Sequence, residues 1–174
     1  ILHNSMPIVN DVMSKCRPLQ FFPDYLKQGY YPFGAEGFAL YHQRVENIVD
    51  MLLNIELPHL RNVDIGNIRK IKALLAIIST EVPMLVDISK LATLTGIART
   101  TILAYLQYLH EAKLIRLLYS DDLSVKKMQK PDKILMENTN LLQALSLQVP
   151  NVGTMRETFF CNQLGYKHQV EYNK

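Results

Sequence analysis

The segment that most constrains the fold is 87–112, which carries the pattern of two helices joined by a tight turn. Asp87 is a favourable N-cap for the first helix, and Gly96 permits the left-handed backbone that such a turn needs. Ala92 lies four residues before Gly96 and is small enough for a second helix to cross the first there. Ile102, six residues after Gly96, begins the inward stripe of that second helix. The spacing therefore predicts a helix-turn-helix.

Two apolar segments after this unit predict β-strands, at 114–119 and 133–137. The segment between them is polar. Its lysines are Lys126, Lys127 and Lys130. A three-helix unit followed by a β-hairpin is the arrangement of a winged helix, and we therefore predict a winged helix domain over residues 64–147.

Helical periodicity covers most of the remaining chain. It predicts a long helix from Ala35 to about Ile55, and Asp64 is a favourable N-cap for the helix that follows. The apolar stripe predicted for that following helix is Ile68, Ile71, Leu74, Leu75 and Ile78. The apolar stripe predicted for the long helix is Phe38, Tyr41, Val45, Ile48 and Leu52. Other predicted helices cover 3–16, a short stretch that ends at Gly29, 140–147 and 153–164, and residues 170–172 begin a strand. The predicted fold class is mainly α with a small β-hairpin.

Composition excludes several classes of protein. The net charge is +3, which permits contact with nucleic acid but does not by itself predict it. Cys16 and Cys161 lie far apart and near no other metal-ligating side chain, which favours a reducing cytoplasm and no metal site. The sequence contains neither a membrane-spanning stretch nor a signal sequence, so we expect no membrane partner. The chain begins at Ile1 without Met, and we expect it to be a piece of a longer protein.

Four short motifs, in their order along the chain, carry a resemblance to a known family. They are FPDYLKQGYYP at 22–32, AKLI at 112–115, KIL at 133–135 and GTMRE at 153–157. This order resembles that of a large prokaryotic family of predicted AAA-type ATPases, which carry a winged helix and a nuclease-like C-terminal domain. The chain departs from the family at Glu137, where the family usually has Asp followed by Thr-Gly-Leu.

The resemblance implies a helical lid-like subdomain at 1–63, the winged helix domain at 64–147 and the truncated start of a nuclease-like domain at 148–174. ATP and Mg²⁺ would bind upstream of residue 1, since this sequence lacks a Gly-rich loop with Lys and Ser or Thr. The chain itself would then not be an enzyme. It would couple the ATP state of a neighbouring ATPase core, which could also form oligomers, to the winged helix. Glu157 matches a metal-binding Glu of resolvase-like nucleases, but a single carboxylate makes it a weak candidate, in the parent protein only.

Two sets of residues are candidates for contact with a partner. In helix-turn-helix proteins the start of the second helix reaches base edges, while Lys and Arg hold phosphates. The nucleic-acid candidates are Arg99, Thr100, Gln107, Lys126, Lys127 and Lys130. The protein-contact candidates are Tyr30, Tyr31, Phe33 and Leu103. Three functions stay open: a winged helix that contacts double-stranded DNA, an interaction module without DNA binding, and a stand-alone DNA-binding transcription regulator.

Overall fold

The computed structural model describes residues 2–61, 65–120, 130–166, 168 and 170–172. Over these residues the chain is mainly helical, with a small three-stranded antiparallel sheet. This confirms the predicted fold class, and it adds one short strand to the predicted hairpin. No helix in this part of the chain is both long enough and apolar enough to cross a membrane.

Helices form the N-terminal part of the described chain. Its α-helices are α1 (Leu2–Lys15), α2 (Pro18–Gln28), α3 (Tyr41–Met51) and α4 (Leu57–Arg61). A 3-10 turn, Pro32–Glu36, precedes α3, and a π turn, Leu52–Glu56, joins α3 to α4. The helical path therefore continues through Pro58, where the sequence predicted a break. A π turn directly before the proline is one way for a helix to accommodate a residue that lacks an N–H.

The helix predicted from Ala35 differs from the structure at its start and in its buried face. The α-helix begins only at Tyr41, because Gly37 has a φ of 133°, which no α-helix contains. Phe38 and Ile48, predicted to face the core, are exposed. The buried residues recur at every fourth position instead, and they are Tyr41, Val45, Val49, Leu53 and Leu57.

The helix-turn-helix has the capping and the turn that its sequence predicts. Its helices are α5 (Ile65–Glu81), α6 (Ile88–Thr95) and α7 (Arg99–Glu111). The carboxylate of Asp87 accepts hydrogen bonds from the backbone N–H groups of Ser89 and Lys90, at 2.9 and 3.0 Å. Gly96 ends α6 with a left-handed φ of 66°. The predicted stripes are buried at Ile68, Ile71, Leu74, Leu75 and Ile78 on α5 and at Ile102, Leu106 and Leu109 on α7. Asp64, the predicted cap of α5, lies outside the described residues.

The sheet places the predicted hairpin beside a strand that the sequence did not reveal. Its strands are β1 (Met84–Leu85), β2 (Ile115–Leu118) and β3 (Lys133–Met136), in the order β1-β3-β2. Ile115 pairs with Met136 and Leu117 with Ile134 in the antiparallel β2–β3 hairpin. Met84 of β1 pairs with Ile134 on the other side of β3. The elements follow the order helix, strand, two helices and a hairpin, and the winged helix stays a prediction.

Two helices follow the sheet, α8 (Thr139–Leu145) and α9 (Val152–Gly165), close to their predicted bounds. The side chains of Asn138 and Asn151 cap them by accepting backbone hydrogen bonds. The strand predicted at 170–172 is present only as a single parallel bridge between Tyr172 and Ser120.

One apolar core crosses the predicted boundary between residues 63 and 64. It runs without interruption from Tyr41 of α3 through α5, α6, α7 and the sheet to Met155 of α9. Helix α8 packs on α2, α3 and α5 and therefore contacts both sides of the boundary. The predicted lid-like subdomain and winged helix thus share a core, and the domain division stays a prediction.

Candidate functional site

The surface predicted to meet nucleic acid is the outer side of α7, and we call Arg99, Thr100 and Gln107 the α7 face. All three side chains are exposed. Arg99 stands in the first turn of the helix and forms no ion pair with any described residue. Gln107 donates a hydrogen bond of 3.0 Å from Nε2 to Oε1 of Glu111. The start of α7 therefore offers an exposed guanidinium and an exposed hydroxyl, whereas the side chain of Gln107 further along is already hydrogen-bonded.

Leu103 lies on the same helix but is not part of this exposed surface. Its side chain is partly buried and packs against the chain's own core, and Ala104 is also partly buried. An apolar strip along the outer side of α7 was the sequence-based reason to expect a protein partner there. The structure turns Leu103 inward instead, so the exposed part of α7 is polar.

Positive charge also lies near the N-terminus of α6. Lys130 is exposed, at the start of the chain segment that leads into β3, and its charge acts on the carboxylate of Asp87. The pKa of Asp87 is lowered, first by the hydrogen bond from the Lys90 N–H and then by the Ser89 N–H and the charges of Lys130 and Lys90. Lys90 also forms an exposed ion pair of 3.3 Å with Glu81. The other two candidate lysines, Lys126 and Lys127, lie outside the described residues.

The aromatic loop after α2 packs into the molecule. The rings of Tyr31 and Phe33 are stacked at 5.5 Å, and the ring of Phe33 lies 5.0 Å from that of Tyr41. The hydroxyl of Tyr31 accepts a hydrogen bond of 3.0 Å from Nδ2 of Asn138. Tyr31 and Phe33 are therefore held by contacts within the chain. Tyr30 is the most exposed of the predicted protein-contact residues in this loop, at 38%.

Asn140 is the residue that ties this loop to the rest of the fold, and the sequence did not single it out. Its side chain is fully buried. Oδ1 accepts a hydrogen bond of 2.7 Å from the backbone N–H of Tyr30 and another from the hydroxyl of Tyr41. Nδ2 donates to the backbone carbonyls of Leu26, at 3.0 Å, and of Tyr25, at 3.2 Å. We call these five residues the Asn140 junction.

Glu157 is used for packing and charge pairing in the structure. It lies in α9, and its carboxylate accepts a hydrogen bond from the ammonium of Lys133 in β3. The ammonium of Lys133 also lies 5.6 Å from the ring centre of Tyr172. Among the residues that the structure describes, no three His, Cys, Asp or Glu side chains are grouped as metal ligands.

The fold and these surfaces define a mainly helical protein built around a helix-turn-helix and a small antiparallel sheet. A family model described as "Domain of unknown function (DUF8612)" matches residues 19–151, which is more than half of the chain. The chain belongs to this family. No curated protein and no solved structure matches the chain.

Proposed function

We propose that this chain contacts the phosphate backbone of double-stranded DNA through the start of α7, as the non-catalytic part of an AAA-type ATPase. The observation that carries the proposal is the exposed Arg99, which has no ionic partner among the described residues and stands in the first turn of the second helix of a helix-turn-helix. In proteins of this architecture that part of the second helix enters or borders the major groove.

The chemistry of this surface suits phosphate contact better than base recognition. An exposed guanidinium binds two phosphate oxygens at once, and a neighbouring threonine hydroxyl donates to a third. Thr100 stands directly after Arg99 and is exposed. Gln107, the candidate suited to adenine, already donates to Glu111. We therefore propose contact that is weakly selective for sequence and depends strongly on salt.

Lys130 extends the basic surface beyond α7. It is exposed and lies within electrostatic reach of Asp87, the cap of α6. The candidate lysines Lys126 and Lys127 belong to the same polar segment of the sequence. We propose that Lys130 contacts the flanking backbone of a duplex that lies on α7.

The Asn140 junction supports the second half of the proposal, the coupling of ATP state to the DNA-contacting surface. Its hydrogen bonds join the loop after α2 to α8, and α8 packs on α5 of the helix-turn-helix. Buried and fully hydrogen-bonded polar contacts hold two elements in one relative geometry. A movement of the lid-like helices on a nucleotide-binding core would then reach the helix-turn-helix as a rigid-body displacement.

The test is a titration of the chain against labelled duplex DNA at several salt concentrations, with Arg99→Ala and Lys130→Ala. The slope of log K against log salt is negative, and each lost phosphate contact reduces its magnitude by about 0.9. Arg156→Ala is the matched control, because Arg156 is an exposed arginine on α9, outside the helix-turn-helix. A slope that does not change in Arg99→Ala, or changes equally in Arg156→Ala, would exclude this surface.

The second candidate function is an interaction module that packs on a protein partner, and α1 favours it. The apolar side chains of this helix are exposed, at Met6, Ile8, Val9, Val12 and Met13. Such a stripe is characteristic of a helix that packs on another protein surface. Absence of DNA binding at low salt would favour this function. We also propose a cytoplasmic location, which the free thiols of Cys16 and Cys161 support.

A further inference from the structure

A cavity of about 740 Å³ lies between the aromatic loop, the hairpin and α9, and none of the described residues that line it belongs to the α7 face. This volume is within the range of small-ligand sites. Two cations line it, Lys113 in the turn between α7 and β2, and Arg116 of β2. Glu137 is the carboxylate among the described lining residues. The charged groups at this cavity are therefore two cations and one anion.

Glu137 balances the charge of Arg116 but not that of Lys113. Nη2 of Arg116 donates to Oε1 of Glu137 at 2.5 Å, and the two side chains are 15% and 10% exposed. The Arg116–Glu137 pair is therefore neutral as a whole. Lys113 is exposed and forms no ion pair with any described residue. One positive charge of the described lining is left without a partner, which favours an anionic ligand.

Nη1 of Arg116 is the guanidinium atom that a ligand in the cavity can reach. Nε is enclosed, whereas Nη1 is not among the enclosed atoms and makes no hydrogen bond with a described residue. Nη1 lies against Gly165, so closely that a Cβ there would come within 1.7 Å of it. Because residue 165 has no side chain, the guanidinium keeps its place beside the cavity. Its bond to Glu137 holds it from the other end.

The backbone of Lys113 has a conformation that favours glycine. Its φ is 57°, and no other described residue except glycine has a positive φ. Lys113 directly follows the C-cap of α7, and its N–H donates to the carbonyl of His110 at 3.0 Å. The next N–H, of Leu114, donates to the carbonyl of Leu109 at 3.0 Å. Glycine is the usual residue at this position of a helix end, because a Cβ makes left-handed backbone less favourable.

A lysine in this position therefore costs stability through its backbone, and backbone strain of this kind is concentrated at ligand sites. The helix dipole offers another use for the lysine, because a cation near a helix C-terminus stabilises the helix. The dipole acts on Lys113 alone and gives no role to Nη1 of Arg116. Phosphate and carboxylate groups accept charge-assisted hydrogen bonds from ammonium and guanidinium groups alike. An oxyanion therefore uses both cations of the cavity.

We propose that this cavity binds a small oxyanion, a phosphate or carboxylate group, with the ammonium of Lys113 and Nη1 of Arg116 as its donors. The ammonium supplies the uncompensated charge. Nη1 supplies a donor in a fixed position, because Glu137 and Gly165 hold the guanidinium in place. This site is separate from the α7 face and independent of DNA contact there.

The proposal is tested by an NMR titration of the chain with inorganic phosphate and, separately, with acetate. Sodium chloride holds the ionic strength constant, so that screening does not change during the titration. We expect at least one of the two anions to give saturable shifts of the amide signals of Lys113, Arg116 and Gly165 at millimolar concentration. Tighter binding of phosphate assigns the site to a phosphate group, and tighter binding of acetate assigns it to a carboxylate. Shifts that do not saturate with either anion would overturn the proposal.

Two variants of Lys113 separate the anion from the backbone and the helix dipole. Lys113→Gln removes the charge and keeps the Cβ, whereas Lys113→Gly removes both. We expect each to weaken the anion about tenfold or more. The Tm of Lys113→Gly should lie about 2–4 °C above that of Lys113→Gln, because only glycine relieves the left-handed backbone.

Lys70→Gln, at an exposed lysine of α5, is the matched control and should bind the anion as wild type does. Unchanged affinity in Lys113→Gln, or an equal loss in Lys70→Gln, would show that Lys113 does not hold the anion and would overturn the site. A Tm of Lys113→Gly no higher than that of Lys113→Gln would contradict the argument from backbone strain.

Discussion

The α7 face and the Asn140 junction differ in how far their central polar side chains are exposed to solvent. On the α7 face, Arg99 and Thr100 are exposed and Arg99 has no ionic partner among the described residues. At the junction, Asn140 is fully buried and its amide makes four hydrogen bonds to the loop after α2 and to α2 and α3. Polar groups therefore have two uses in this protein. Exposed polar groups are available to a partner, whereas buried ones fix how the elements of the chain are arranged.

The largest expected effect is that of Asn140→Leu on stability. The substitution removes the acceptor of the Tyr30 N–H and of the Tyr41 hydroxyl proton, and it removes the side-chain donor to the carbonyls of Tyr25 and Leu26. The Tyr25 carbonyl keeps the N–H of Gly29, and the Tyr41 hydroxyl still accepts from the N–H of Tyr31. We expect the free energy of unfolding to fall by about 3–5 kcal/mol, measured by urea denaturation. Gln148→Leu, at an exposed amide just after α8, is the control and should change stability by less than about 0.5 kcal/mol. Similar losses in the two variants would remove the distinction between buried and exposed polar groups.

Gly165→Ala should have the next largest effect. The new methyl group overlaps the guanidinium of Arg116, which must leave Glu137. Because the guanidinium is the end of a flexible side chain, we expect a loss of about 1–3 kcal/mol rather than unfolding. The same substitution in an Arg116→Met background should cost much less, and a double-mutant cycle measures the difference. A full cost in that background would show that Arg116 is not the obstacle.

We expect Asp87→Asn, at the cap of α6, to have a smaller effect on stability, and this effect should depend on pH. Its folded-state pKa is lowered from 3.8, mainly by the hydrogen bond from the Lys90 N–H. A carboxyl with a lowered pKa stabilises the fold above its unfolded-state pKa, and this contribution is lost as pH falls through its folded-state pKa. Asp87→Asn keeps an acceptor oxygen but does not titrate. We expect wild type to be the more stable at neutral pH, and we expect the advantage to shrink as pH falls below the unfolded-state pKa and to disappear below the lowered folded-state pKa. A constant difference across this range would contradict the assignment.

Arg99→Ala should have the smallest effect on stability and a clear one on DNA. The side chain is exposed and has no ionic partner in the described structure, so we expect the free energy of unfolding to change by less than about 0.5 kcal/mol. The slope of log K against log salt for duplex binding should fall in magnitude by about 1. If the variant binds DNA as wild type does, with an unchanged slope, then Arg99 does not contact the duplex.

The helix-turn-helix and the Asn140 junction also differ in how well the sequence predicts them. The cap at Asp87, the left-handed Gly96 and the buried stripe of α5 depend on contacts between residues close in sequence, and the structure confirms all three. The start of α3 was predicted wrongly because helical periodicity does not show that Gly37 adopts a φ of 133°. The two-residue strand β1 was missed because it is too short to show a period.

The Asn140 junction and the Arg116–Glu137 pair could not be predicted in the same way. Asn140 contacts residues about 100 positions earlier, and Arg116 contacts Glu137 across the hairpin. A single Asn after a strand is most simply a turn or cap residue, and here that role belongs to Asn138. Only the arrangement of α2, α3 and α8 in space turns Asn140 into a buried centre of hydrogen bonds. The sequence also did not show that Tyr31 and Phe33, two of the predicted protein-contact residues, contact other side chains of the same chain.

The most direct test of the central claim is to follow backbone amide NMR signals of the chain while a short duplex DNA is added. We expect the signals of Arg99, Thr100 and Lys130 to shift, raised salt to reverse the shifts, and the signals around Asn140 not to move. Shifts centred on α1, or no shifts at the start of α7 under low-salt conditions, would contradict the central claim. In that case the exposed polar surface of α7 would not be the place where this protein meets DNA.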